Sequence, residues 1–213
     1  MLRRCVHPFM IVTVSNEYGA GALAIAKRAA DELGYEYVDR QLPVVVAKRL
    51  RISPEDVEAN EDAQRSLGER WLTSLERATP ELAQSSSVEP FDEELLKAVQ
   101  EAVREFARRG NAVIVGRAAG LVLGPAANVV RVFLHAPREW RIAHIVDTFG
   151  SDRKTAEFEV ERIDRMRAAY VRSWYAAEFG DHSNYDLCID TSRFDRAQCA
   201  ELIVSAVRIR AAR

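Results

Sequence analysis

Apolar residues along the chain fall into short runs separated by longer stretches of helical period. Residues 9–15 are rich in β-branched side chains, which predicts a strand. Gly19 and Gly21 follow, and a helical pattern then runs to Leu33, where Gly34 stops it. Residues 35–39 predict a second short strand. From 41 to about 83 the period is helical, broken at Pro43 and Pro54 and near Gly68, and 84–90 reads as a Ser-rich linker. Between 92 and 109 the apolar positions 95, 96, 99, 103, 106 and 107 trace one helix face, closed by Gly110. Two strands of buried type, 112–115 and 129–134, flank a small helix at 118–123. Helices follow over 138–149 and 152–179, with Gly150-Ser-Asp152 supplying a stop and a fresh N-cap. A last strand, 185–190, leads into a closing helix of about 195–210. Five short apolar strands alternating with helices predict an α/β chain of three layers, with a five-stranded parallel sheet covered on both faces and a helical insertion between strands 2 and 3. Ligands of such sheets bind beyond the carboxyl ends of the strands, so the loops after Ser15, Asp39, Val115, Leu134 and Asp190 are where chemistry is expected.

Composition narrows the class. With 213 residues, 48% hydrophobic and 29% charged, the chain suits a single folded domain spanning 1–213 and excludes collagen-like or wholly disordered classes. The net charge of −2 gives no global attraction to a polyanion, so no nucleic-acid partner is expected. Cys5, Cys188 and Cys199 lack metal-ligand spacing, and no metal site is expected in the protein itself. No window approaches the roughly 18–20 apolar residues of a membrane helix, and the N-terminus is no convincing signal peptide, so a reduced, cytoplasmic chain without membrane partners is predicted. One imbalance stands out: of 30 basic residues only Lys27, Lys48, Lys97 and Lys154 are lysines, and the other 26 are arginines.

The first loop carries the leading candidate site. A strand enters it and a helix leaves it, which aims backbone N–H groups and the positive helix end at one point, while Gly19 and Gly21 permit unusual dihedrals. The signature G-x-x-x-x-G-K-[ST] is absent: with Gly21 as its second glycine, the first falls on Asn16 and the lysine on Ala22. An anion-binding turn and a plain strand-to-helix connection both fit these residues.

Taken together the segments resemble the cytidylate kinase-like family, a nucleoside monophosphate kinase branch of the P-loop NTPases. Val14-Ser-Asn-Glu-Tyr-Gly-Ala-Gly-Ala-Leu-Ala-Ile-Ala-Lys-Arg28 is similar to the family's opening S-R-E-[FY]-G-S-G-G-R-E-I-A-K-R, and residues 34–42 to its G-Y-x-[FY]-x-D-R-x-L. Residues 115–127 with 132–136 resemble the G-R-D-x-G-T run and the F-L-x-A strand, Asp164 and Arg167 a D-x-x-R, and 185–192 the closing strand. The resemblance implies the P-loop NTPase fold and transfer of the γ-phosphoryl group of ATP to a small acceptor such as CMP, with Mg2+ held mainly through nucleotide oxygens. It implies that Gly19, Ala20, Gly21, Ala22 and Leu23 hold donor phosphates. Arg117 and Arg167 would bind the acceptor's phosphate, a task suited to planar guanidinium forks. Asp164 would orient an arginine or bind the acceptor nucleotide, and Asp39 and Arg40 would lie at the acceptor site. Arg141, with Arg138 nearby, would belong to a lid over 138–162 and act with Arg117 and Arg167 in catalysis; 41–90 would form the acceptor-binding insertion.

The departures from the family pattern concern charge. Loop arginines of the family stand here as Leu23 and Asn16, the aspartate of G-R-D as Ala118, and a second lid arginine as His144. Each lost phosphate contact weakens transition-state stabilisation by about 2–4 kcal/mol. A catalytically impaired nucleotide binder, acting as a sensor or interaction module, is therefore the alternative. Each residue also has a plainer reading: Arg117 as an ion-pair partner at a strand end, Asp164 and Arg167 as an i, i+3 surface pair, and Trp71, Trp140 and Trp174 as packing anchors. The helices around Trp71 and Leu75 could pack on the core or on a second copy of the chain in a homodimer.

Overall fold

A computed structural model describes residues 9–39 and 90–212. Five strands, β1 (Ile11–Asn16), β2 (Glu36–Val38), β3 (Ala112–Val115), β4 (Val129–His135) and β5 (Leu187–Asp190), form one parallel sheet in the order β2-β3-β1-β4-β5. β1 is central, with Val12 registered on Val113 to one side and on Val130 to the other. Neighbouring residues of a strand point to opposite faces, and both faces are covered, which is why the central strands read as largely apolar runs. Val12, Val14, Val113, Val132 and Leu134 pack with α1 (Ala22–Leu33) and with Ile203 and Val207 of the closing helix. Ile11, Ile114 and Val129 pack on the opposite side with Val99, Val103 and Phe106 of α2 (Pro90–Arg109) and with α3 (Ala119–Leu123). The three-layer α/β/α arrangement predicted for the chain is the one observed.

Helices α4 (Arg138–Phe149), α5 (Arg153–Tyr175) and α6 (Arg196–Ala211) complete the described structure. Gly150, left-handed, caps α4, and Asp152 caps α5 by accepting the Thr155 N–H. At the start of α6, Asp195 and Gln198 form a complete capping box. The expected helix over 152–179 is four residues too long. Ala176 turns left-handed, with φ +48°, and frees Phe179 to meet the Phe133 ring edge-on at 5.5 Å. The expected insertion over 41–90, together with Arg40, Cys5, Trp71 and Leu75, lies outside the described residues, apart from Pro90, which opens α2.

A charge cluster built on one buried arginine holds the first loop to the sheet. Arg141, on α4, has a side chain only 8% exposed. Its Nε donates to the Ala136 carbonyl at 3.0 Å, and its Nη1 donates to the Tyr18 carbonyl at 2.9 Å and to Asp164 Oδ2 at 2.5 Å. Asp164, on α5, accepts the Tyr18 N–H at 2.8 Å through its other oxygen. Glu17 accepts the Ala136 N–H at 3.1 Å and lies 3.3 Å from Arg141 Nε. Both polar groups of the Tyr18 backbone are thus fixed by one ion pair. Gly19 follows with φ +83°, and a Cβ there would stand 3.0 Å from the Arg141 carbonyl oxygen and 3.0 Å from Ile145 Cδ1. The loop and α4 touch as closely as a hydrogen side chain permits.

Asp164→Ala leaves a buried guanidinium with Glu17 as its remaining carboxylate, and we expect about 2–3 kcal/mol of lost stability in urea unfolding. Asp164→Asn, which keeps an acceptor for the Tyr18 N–H, should lose less. Gly19→Ala should cost about 2–3 kcal/mol through strained φ and contact with backbone, against about 1 kcal/mol for Gly34→Ala. Gly34 shares the left-handed φ, but a Cβ there would meet nothing within 4 Å.

Candidate functional site

At the carboxyl edge of the sheet the loops after β1, β2 and β3 open onto a cavity of about 540 Å³, walled on its far side by α4, α5 and the first residue of α6. Ser15, Asn16, Tyr18, Gly19 and the first turn of α1 form one wall. That turn is open: Gly21, with φ +74°, is the N-cap and has no side-chain cap, no acidic residue lies in the first turn, and the first intrahelical bond is from the Ile25 N–H to the Gly21 carbonyl. The N–H groups of Ala22, Leu23 and Ala24 therefore have no carbonyl of their own helix to bind, and all three residues line the cavity. A helix end so arranged attracts an anion whatever its side chains. Ala20 is fully buried. Lys27, the lysine nearest in sequence, is turned away and paired with Asp31 at 2.5 Å.

The cation supply comes from other elements. Arg117 follows β3 in a run of three left-handed residues, Gly116, Arg117 and Ala118, with φ of +73°, +56° and +50°. Non-glycine residues rarely hold such angles, and here they bring Arg117 into the cavity. Arg167 reaches the same cavity from α5 and donates from Nη1 to the Asn16 carbonyl at 2.5 Å, at the end of β1. Burial lowers the Arg117 pKa, and Asp39 at the end of β2 partly restores it. Burial lowers that of Arg167 as well; Asp164 opposes the shift, while Arg117 and Arg141 add to it by repulsion. Two desolvated guanidinium groups that repel one another remain charged at neutral pH, and a bridging anion would relieve both. Tyr170, one turn beyond Arg167, also lines the cavity. Burial, and then the neighbouring Tyr175, pushes its hydroxyl pKa far up, and among the described residues it is the one buried side-chain polar atom without a hydrogen bond of ordinary geometry.

Of the residues singled out in the sequence, the cavity gathers Gly19, Gly21, Ala22, Leu23, Asp39, Arg117 and Arg167. Arg141 and Asp164 stand behind the loop rather than in the cavity wall, with the Nε and Nη1 donors of Arg141 engaged by protein. Arg138 is exposed and paired with Glu139 and Glu161. Sequence reasoning missed Arg196, Tyr170 and the aromatic pair Phe179 and Tyr185, all of which line the cavity. Arg196 is foreseeable only in that it opens a helix after a strand's carboxyl end. Among the described residues no group of His, Cys, Asp and Glu is arranged to hold a metal ion, and no helix is long and apolar enough to cross a membrane.

The chain is similar to known proteins. Among curated proteins, the chain is 26% identical over 200 residues to the cytidylate kinase of Halobacterium salinarum, covering 93% of this chain and 89% of that protein. It is 27% identical, with the same coverage, to the cytidylate kinase of Haloquadratum walsbyi. Among solved structures, an uncharacterised protein from Eubacterium ventriosum superposes with a TM-score of 0.66 at 19% identity, over 93% of this chain and 98% of that one. Shikimate kinase from Bacteroides thetaiotaomicron superposes with a TM-score of 0.52 at 13% identity, over 94% and 99%. These structures share the fold. The model of the cytidylate kinase-like family matches residues 11–193, from the first residue of β1 to the turn after β5, and the chain belongs to that family.

Proposed function

We propose that the protein is a nucleotide kinase that transfers the γ-phosphoryl group of ATP to a nucleoside monophosphate, with CMP the first candidate acceptor. The observation that carries this reading is the pairing of two anion-seeking features across one cavity: the open first turn of α1, and the mutually repelling Arg117 and Arg167. Donor phosphates seat on the backbone N–H groups of Gly21, Ala22 and Leu23 beside Gly19, whereas Ala20, expected to join them, is buried with its N–H bonded to the Glu17 carbonyl. The acceptor's phosphate seats between the two arginines, with Asp39 beside Arg117. Phosphoryl transfer demands chiefly position and charge neutralisation, and both are properties of this cavity. Mg2+ would come as part of the ATP substrate, held mainly through nucleotide oxygens, and would supply charge neutralisation that the residues of the cavity complement. The names of the curated relatives support the same reading. We further assign residues 138–162 to the segment that closes over the donor, and Arg141 and Asp164 to fixing the loop that receives it.

The cation-poor loop favours a second reading, a protein that binds nucleotide without turnover, because Ala22 and Leu23 offer the phosphates no charge. One assay separates the two. With ATP, Mg2+ and a panel of CMP, UMP and AMP, the kinase reading expects nucleoside diphosphate to accumulate, and its absence above a no-protein control overturns that reading. Binding of ATP without any diphosphate would establish the second.

Arg117→Ala should lower kcat/KM for the acceptor by about 10²–10³-fold, since it removes a charge-assisted contact from a desolvated site. The affinity for ATP alone should hold, because the contact lies on the acceptor side. Steady-state kinetics paired with titration calorimetry checks both statements. Arg167→Ala should in addition lower thermal stability, as it also breaks the bond to the Asn16 carbonyl.

A further inference from the structure

The phosphate loop has no cation of its own, yet an imidazole stands beside it. His144 lies on α4 and lines the cavity, and its Nε2 is 3.7 Å from where a Cβ on Gly21 would stand, at the open end of α1. Its ring stacks on Trp140 at 5.0 Å with an interplanar angle of 11°, which limits the directions in which the nitrogen can face. The groups that act on it electrostatically are Arg196, at the start of α6, and Asp147, one turn on along α4. Burial and then Arg196 hold its pKa below the ordinary histidine value, and Asp147 works weakly the other way. In the free protein at pH 7 the ring is therefore neutral, at a spot where three N–H groups and a helix dipole converge. A polyphosphate on that helix end would bring negative charge into reach of Nε2 and favour the protonated ring.

We propose that His144 is a donor-binding residue, taking up a proton as the ATP phosphates seat on the first turn of α1 and so supplying the cation that the loop lacks. The inference rests on the reading of this cavity as a nucleotide kinase site. By linkage, a group protonated only in the complex makes affinity rise as pH falls toward its free pKa, and level off below it. Arg196 opposes protonation until the anion arrives, so the proton and the ligand bind together.

The test is titration calorimetry of Mg-ATP at pH 6.0, 7.0 and 8.0 on the full chain, His144→Gln and His144→Arg. ATP itself titrates in this range, so the quantity read is the ratio of wild-type to His144→Gln affinity, in which the ligand's own protonation cancels. The proposal expects that ratio to be near 1 at pH 8.0 and about 10 at pH 6.0. It also expects His144→Arg to bind more tightly than wild type at pH 8.0. Repeating the titrations at pH 7.0 in buffers of different ionisation enthalpy should show more proton uptake by wild type than by His144→Gln. A ratio independent of pH, or equal proton uptake, overturns the role of His144 and leaves the kinase reading standing. Wild-type protein that binds no Mg-ATP at any pH overturns both.

Discussion

The ion pair between Arg141 and Asp164, with Glu17 as its second carboxylate, is the constraint on which the site depends. A buried charge cluster is a poor way to gain stability, because desolvation consumes most of the Coulombic attraction. Its value lies in geometry. Arg141 joins the end of β4, the loop after β1 and α5 through directional hydrogen bonds, and it does so around Tyr18, whose N–H and carbonyl both terminate on the cluster. The next residue, Gly19, is then pressed against α4. With its path so fixed, the chain enters α1 uncapped, and the open helix end is a product of the cluster as much as of the glycines.

The other half of the site is built from unfavourable terms. Three consecutive left-handed residues after β3, two guanidinium groups that raise one another's energy, and a buried tyrosine hydroxyl without a well-formed hydrogen bond all cost free energy in the ligand-free protein. They lie around one cavity, while the two sheet faces are filled by ordinary apolar packing. A fold whose core is conventional and whose strain is local is one that has spent stability on recognition.

The sequence made the scaffold readable because β1, β3 and β4 are rich in β-branched residues and closed by turn signals, and Gly34, Gly150 and Asp152 end or start helices where such residues predict. The end of α5 was not readable, since nothing in Ala176 itself announces a left-handed residue; the loop that carries Phe179 to the Phe133 ring imposes it. Arg117 and Arg167 could be singled out as a motif, but their closeness in space is a tertiary fact. Arg141 illustrates the limit most clearly: an arginine on an amphipathic helix reads the same whether it faces a ligand or a half-buried aspartate. Arg196 and His144, 52 positions apart on different helices, meet only because α4 and α6 converge on the same loop.

α5 has a further significance. Within a single turn it carries Asp164, which fastens the loop after β1, and Arg167, which lines the cavity while also holding the end of β1. A rigid helix cannot move one of these residues without the other. A ligand that shifted the helix from the arginine side would bias the loop side, and the reverse would hold to the same degree, because coupling free energy is reciprocal. Two ligands of such a cavity would need no direct contact to alter each other's affinity, because one helix carries both contacts.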